Sequence, residues 1–216
     1  LYGGRVSMAV GVLAMGVALV AGTLVGGVAG YYGGQVDAIL MRIVDFLMCF
    51  PGLFVLILLT TLLRNSPVRF LSQGIWPIVF VIAFLAWMQV ARIVRSTFLT
   101  TREREFIVAA RCIGASDGRI MWRHILPNSV GPIIVAGTLR VATSIVTESG
   151  LSFLGFGVQP PTPTWGNMLK NAQAQMLSAP WVAVFPGLMI FITVIGISYV
   201  GDGLRDALDP QGNRGE

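Results

Sequence analysis

The chain has 216 residues, 55% of them hydrophobic and only 12% charged, with a mean hydropathy of +0.76. Soluble domains carry about 25% charged residues, so this composition excludes an ordinary soluble fold and reads as one all-α membrane domain crossing the bilayer several times. The net charge of +5, nearly all of it arginine, flanks hydrophobic runs, which follows the positive-inside rule and not a nucleic-acid surface. The two cysteines, Cys49 and Cys112, fall in or beside cytoplasmic or intramembrane positions without metal-site spacing, so neither a disulfide nor a metal centre is expected.

A spanning helix needs about 20 apolar residues, and five stretches qualify: roughly 6–30, 39–63, 75–98, 130–154 and 182–201. In the first, Gly22, Gly26 and Gly30 recur every fourth residue, a pattern that lets two helices approach closely in lipid and reads as a packing face rather than a pore lining. The second opens with Arg42 and Asp45, able to pair on one face, and then meets Pro51-Gly52. The same tetrapeptide, Phe-Pro-Gly-Leu, returns at Phe185–Leu188. Proline removes a helix hydrogen bond and kinks the chain, so the two copies are either hinges or plain packing bends and span starts.

Between the third and fourth spans lies a basic segment, 102–128. Phe106, Ala109, Ala110 and Ile113 recur at helical spacing and predict one apolar side, with Arg104 and Arg111 on the other. Gly114 can end that helix in the left-handed conformation, Ser116 can cap the next, and Pro127 is expected to stop it. The segment reads as a cytoplasmic helical hairpin that docks on a partner. His124, the only histidine, has no ligand-type neighbours and reads as a polar helix-end residue.

The fourth span carries Glu148, Ser149 and Ser152. An acid in a span is costly unless paired or wet, so Glu148 is expected to face a translocation path, with Ser149 and Ser152 beside it, or to pair with Arg140. A serine hydrolase would need a histidine or lysine base within the bilayer; His124 is cytoplasmic and Lys170 lies beyond a proline-rich break, Gln159-Pro160-Pro161-Thr162-Pro163-Thr164. That break cannot be regular helix and is expected at the outer mouth, with Thr162 and Thr164 accessible and Trp165 and Trp181 in an interfacial belt. The tail, with Asp202, Arg205, Asp206 and Asp209, reads as a short amphipathic helix against the hairpin.

Arginine placement sets the topology. Arg92, Arg95, Arg102, Arg104, Arg111, Arg119 and Arg123 outnumber Glu103, Glu105 and Asp117, which puts that region in the cytoplasm. Residues 155–180 carry Lys170 as their single base and belong outside. Alternation then places Arg64 and Arg69 outside, against the rule. The chain begins at Leu1 rather than a methionine, and an N-terminal portion is expected before it.

The segment 102–128 resembles the EAA loop of ABC importer permeases: Glu-Ala-Ala, three residues, Gly, nine residues, Ile, one residue, Leu-Pro. Ala109-Ala110, Gly114 and Leu126-Pro127 fall in register; Val108 stands for the Glu and His124 for the Ile, and the nearest acid is Glu105, one turn earlier. The stretches GYYGGQVDAILMRIVD, ESGLSFLGFGVQPPTPTWGNML and GDGLRDALDP resemble the C-type permeases of dipeptide, oligopeptide and nickel importers, and the likeness runs from Tyr2 to Pro210.

The resemblance implies a type I importer permease fold, with residues 1–216 as the transmembrane domain and a further helix ahead of Leu1. It implies half of a translocation path for di- or oligopeptides in the bacterial inner membrane, with nickel or another small solute as the alternative cargo. The implied partners are a homologous permease, two ABC ATPase subunits and an extracytoplasmic binding protein. No cofactor is expected on this chain, which has no GxxxxGK[ST] motif; ATP and Mg belong to the ATPases. The docking residues it implies are Glu105, Phe106, Ala109, Ala110, Gly114, Ala115, Ser116 and Asp117. A stand-alone channel would need no docking hairpin.

Overall fold

The long apolar runs become long helices because a chain in lipid must satisfy every backbone N–H and C=O internally. The computed structural model describes residues 2–208, so Asp209 of the tail lies outside the described residues. In chain order the helices are α1 (Tyr2–Tyr32), α2 (Gly34–Met48), α3 (Gly52–Arg64), the short α4 (Arg69–Ser72), α5 (Trp76–Thr101), α6 (Glu105–Cys112), the single turn α7 (Asp117–Arg119), α8 (Leu126–Phe153), α9 (Trp165–Ala172) and α10 (Trp181–Leu208). Among the described residues there is no strand.

Helices α1 and α5 run side by side in the same direction at the centre of the bundle. The glycine stripe makes this possible. A Cβ on Gly26 would lie 2.3 Å from the carbonyl oxygen of Ala91, and one on Gly22 2.6 Å from Val90. The two backbones therefore touch where the glycines are, as the four-residue spacing predicts. Helix α8 runs antiparallel to α1, with Gly11 against Ile145 and Gly137 against Leu19. Helix α10 lies along α8, its apolar face almost wholly uncovered within this chain.

The two Phe-Pro-Gly-Leu sequences behave differently. The second expected span is not one helix: α2 and α3 meet at an angle of 88°. Pro51 stands at φ −59°, ψ 116°, after a full α2 whose hydrogen-bond ladder it cannot continue. Pro186 sits inside an unbroken α10. It comes so near the helix start that its missing N–H and its clash with the preceding turn touch only the first turns. Pro127 also corrects the expectation of a stop. Residues Ile120–Ile125 form a π-helical stretch that feeds straight into α8. The wider turn shifts the hydrogen bonds by one residue, so the ring of Pro127 fits without breaking the helix.

Long-range pairing replaces the local Arg42–Asp45 pair expected from spacing. Asp45 is bound by Arg92 of α5 and not by Arg42. Asp37 takes a two-pronged bond from Arg95, a geometry that guanidinium and carboxylate share. Arg64, on the side where arginine is unexpected, donates to the carbonyl of Gly157. That anchor ties the end of α3 to the proline-rich segment. Trp165 is buried beneath α1, its backbone N–H donating to Ser7 Oγ at 3.2 Å; it is a packing residue and not part of an interfacial belt. Trp181 is exposed. Thr164, expected to be accessible, is fully buried because its hydroxyl caps α9, accepting from the N–H of Asn167 at 3.1 Å. The end of α10 lies beside the start of α8, with Leu208 near Gly131.

Candidate coupling hairpin

Helix α6 ends as its sequence requires. Gly114 has φ +80°, its N–H bonds to the carbonyl of Arg111 at 2.9 Å, and the N–H of Ala115 reaches back to Ala110 at 3.1 Å. These two bonds are the Schellman closure, which needs a left-handed residue at this point. Ser116 occupies the N-cap position of the following turn, but its side chain makes no capping bond.

The apolar stripe of α6 divides. Ile107 and Ala110 turn inward, Ala110 only 6% exposed, and pack with Ile120 and Ile125 at the cytoplasmic end of the core. Phe106, Ala109 and Ile113 turn outward; Phe106 is 41% and Ile113 86% exposed. Ala110 is thus a hinge-side packing residue rather than an outward knob. Spacing of three and four fits both a knob and a buried neighbour, and only the surrounding helices separate them. Val108, where the family pattern has Glu, is half exposed. Glu105 lies in the first turn of α6, where a carboxylate suits the helix dipole, and is exposed. The outward Phe106 and Ile113, two turns apart, leave an exposed apolar surface at the arginine-rich end of the bundle.

A polar clasp fixes this hairpin to the bundle. Tyr31, at the end of α1, donates its hydroxyl to Asp117 Oδ1 at 2.7 Å. The guanidinium of Arg111 lies 5.5 Å from the centre of the Tyr31 ring, within cation–π range. Arg102 donates to the carbonyl of Tyr31 at 3.1 Å and, more weakly, to that of Gly30 at 3.4 Å. The hairpin is therefore held by the ends of α1 and α5, the two helices in tightest backbone contact. Tyr31 and Arg102 were not singled out from the sequence. The signal was the first tyrosine of a Tyr-Tyr-Gly-Gly run, and its partner is 86 residues away.

Glu148, Ser149 and Ser152 come together but face inward. Ser152 Oγ donates to Glu148 Oε1 at 2.6 Å, and the three side chains are buried. A Cβ on Gly166 of α9 would lie 2.4 Å from the carbonyl oxygen of Ser149, so α9 closes over this group. Glu148 is not paired with Arg140; among the described residues its partners are the two serines. Both cysteines are free and exposed.

A family model described as "Binding-protein-dependent transport system inner membrane component" matches residues 22–212. The glutathione transport system permease protein GsiD of Escherichia coli is 47% identical over 211 residues, covering 98% of this chain and 67% of the relative. Its counterpart in Pectobacterium atrosepticum is 44% identical over the same shares. The fold is similar to that of an inward-facing MetNI methionine ABC transporter chain, with a TM-score of 0.76 at 18% identity over 96% of this chain and 94% of that one. It is also similar to that of an amino acid ABC transporter chain, with a TM-score of 0.68 at 13% identity over 95% and 92%. With these matches, five apolar spans among the described residues counting the bent pair as one, and the hairpin at the arginine-rich end, the chain belongs to the binding-protein-dependent transport system inner membrane components, as a permease subunit of an ABC importer in the bacterial inner membrane.

Proposed function

We propose that this permease carries peptides, with glutathione-sized di- and oligopeptides as the cargo class. Identity of 44–47% to permeases named for glutathione transport supports this reading. In the proposed assembly the chain supplies half of the path and a homologous permease the other half. Two ATPase subunits, holding ATP and Mg, take the hairpins, and an extracytoplasmic binding protein delivers the peptide.

The outward Phe106, Ala109 and Ile113 enter a groove on the ATPase, with Ser116 at the tip. Closure of the ATPases then pulls on a lever that is clasped through Tyr31 and Arg102 to α1 and α5, and the bundle rocks as a body. ATP hydrolysis takes place on the ATPases; this chain contributes the lever and the path.

The hairpin part is tested by Ser116→Cys in a Cys49→Ser, Cys112→Ser background. Ser116 is exposed and makes no side-chain bond, whereas Asp117 holds Tyr31. A crosslink to the ATPase subunit in the intact complex is expected, and free labelling in that complex refutes docking. The cargo part is tested by uptake of labelled glutathione or a dipeptide into liposomes bearing the full complex, against nickel uptake as the contrary outcome.

A further inference from the structure

Between α5 and α8, beside Leu56 of α3, lies a pocket of about 170 Å³ whose polar lining is Gln89, Arg140, Thr143, Ser144 and Thr147. Gln89 and Arg140 each fall near the middle of their helices. At about 1.5 Å of rise per residue they stand roughly 20 Å from either end, at the centre of a hydrocarbon core about 30 Å thick. Arg140 makes no ion pair among the described residues, whose arginine pairs are those of Arg92, Arg95 and Arg102. Gln89 Oε1 is buried and has no hydrogen-bond partner. Thr143 and Thr147 donate their protons to carbonyls of α8, so neither hydroxyl competes with Arg140 as the donor to a guest. A guanidinium persists at this depth where water, an anionic guest or an acid of a partner subunit meets it, and an orphaned amide oxygen where water or a hydrogen-bond donor does.

We infer that this pocket is a carboxylate-binding station on this chain's half of the translocation path. The identity of the guest rests on the peptide reading. The C-terminal residue of a peptide presents a carboxylate and, three bonds away, a peptide N–H. Arg140 takes the carboxylate through its fork of donors, and Gln89 Oε1 accepts the N–H. The volume equals about five or six waters at roughly 30 Å³ each. That is room for a carboxylate and a little water, not for a whole peptide. The site is a contact made in passing, weak enough to release, as a conduction path requires.

The test uses the full-length permease in liposomes with its partner permease, ATPases and binding protein. In the Cys49→Ser, Cys112→Ser background, Thr143→Cys is exposed to anionic and cationic methanethiosulfonates of matched size, and modification of this chain is followed by mass spectrometry. The anionic reagent is expected to react roughly tenfold faster, because a unit charge a few ångström away attracts by well over RT even at a high effective dielectric. Arg140→Gln is expected to abolish the preference. Equal rates, or no reaction with either reagent, overturn the proposal. In the same liposomes Arg140→Gln is expected to lower glutathione or dipeptide uptake by about tenfold or more, and Arg140→Lys to fall between Arg140→Gln and wild type, because the charge returns without the fork. Both variants should co-purify with the other subunits. Undiminished uptake by Arg140→Gln overturns the proposal, and so does its failure to co-purify, which would assign Arg140 to an ion pair with the second permease. A wild-type complex that carries neither peptide refutes the peptide reading, while the reagent rates still decide whether the pocket attracts anions.

Discussion

Gly114→Val separates the conformational role of the hairpin corner from its contact with a partner. In this chain nothing lies within 4 Å of the Cβ position at Gly114, and its φ is +80°. The added side chain therefore meets open space, and its cost is the left-handed backbone alone, about 1–2 kcal/mol. That corresponds to roughly a 5–30-fold rise in the open population of the last turn of α6. Hydrogen exchange on the purified permease should register this in the amides of Gly114 and Ala115, which close the Schellman motif. Asn tolerates this conformation, so Gly114→Asn should fall between glycine and valine. Gly118 serves as the control: its Cβ position is also open, and its backbone is not left-handed. Gly118→Ala should slow exchange or leave it unchanged, since alanine is favoured over glycine in a helical turn by up to about 1 kcal/mol. Unchanged exchange in Gly114→Val, or equal acceleration in Gly118→Ala, refutes the corner argument. If uptake in the assembled transporter falls by much more than this factor, the excess measures crowding against the ATPase.

Other perturbations follow from close contacts. Gly26→Val places a side chain 2.3 Å from the Ala91 carbonyl oxygen and should cost roughly 1–3 kcal/mol or more by prying α1 from α5. A lowered Tm in detergent is expected, with Gly16→Ala, whose Cβ meets nothing within 4 Å, unchanged. Tyr31→Phe removes the donor to Asp117 and should loosen the hairpin by about 1 kcal/mol, raising hydrogen exchange of the buried Ile120 amide, which bonds to the Ser116 carbonyl, roughly fivefold. In an Asp117→Asn background the same change should have a smaller effect. Pro163→Cys, on an exposed residue, should react with reagents supplied outside, whereas Thr164→Cys, at a sealed capping position, should not. Reaction of Pro163→Cys only from the cytoplasm inverts the topology.

The sequence by itself determined the elements that depend on local pattern: hydropathy set the spans, arginine placement set the cytoplasmic end, Gly114 set the corner, and the four-residue glycine spacing set a close-packed helix face. Each is a property of a few neighbouring residues. The tertiary structure alone decided which identical motifs behave differently. Pro51 breaks a span and Pro186 does not, because the outcome depends on how much helix precedes the proline. It also decided which of Phe106, Ile107, Ala109 and Ala110 face outward, since helical spacing defines relative faces but the absolute rotation comes from packing against Ile120 and Ile125. The partners of Tyr31, Asp37, Asp45 and Arg64 lie dozens of residues away. No local spacing encodes such pairs; they exist only once α1, α5 and α8 have brought distant side chains to the same depth.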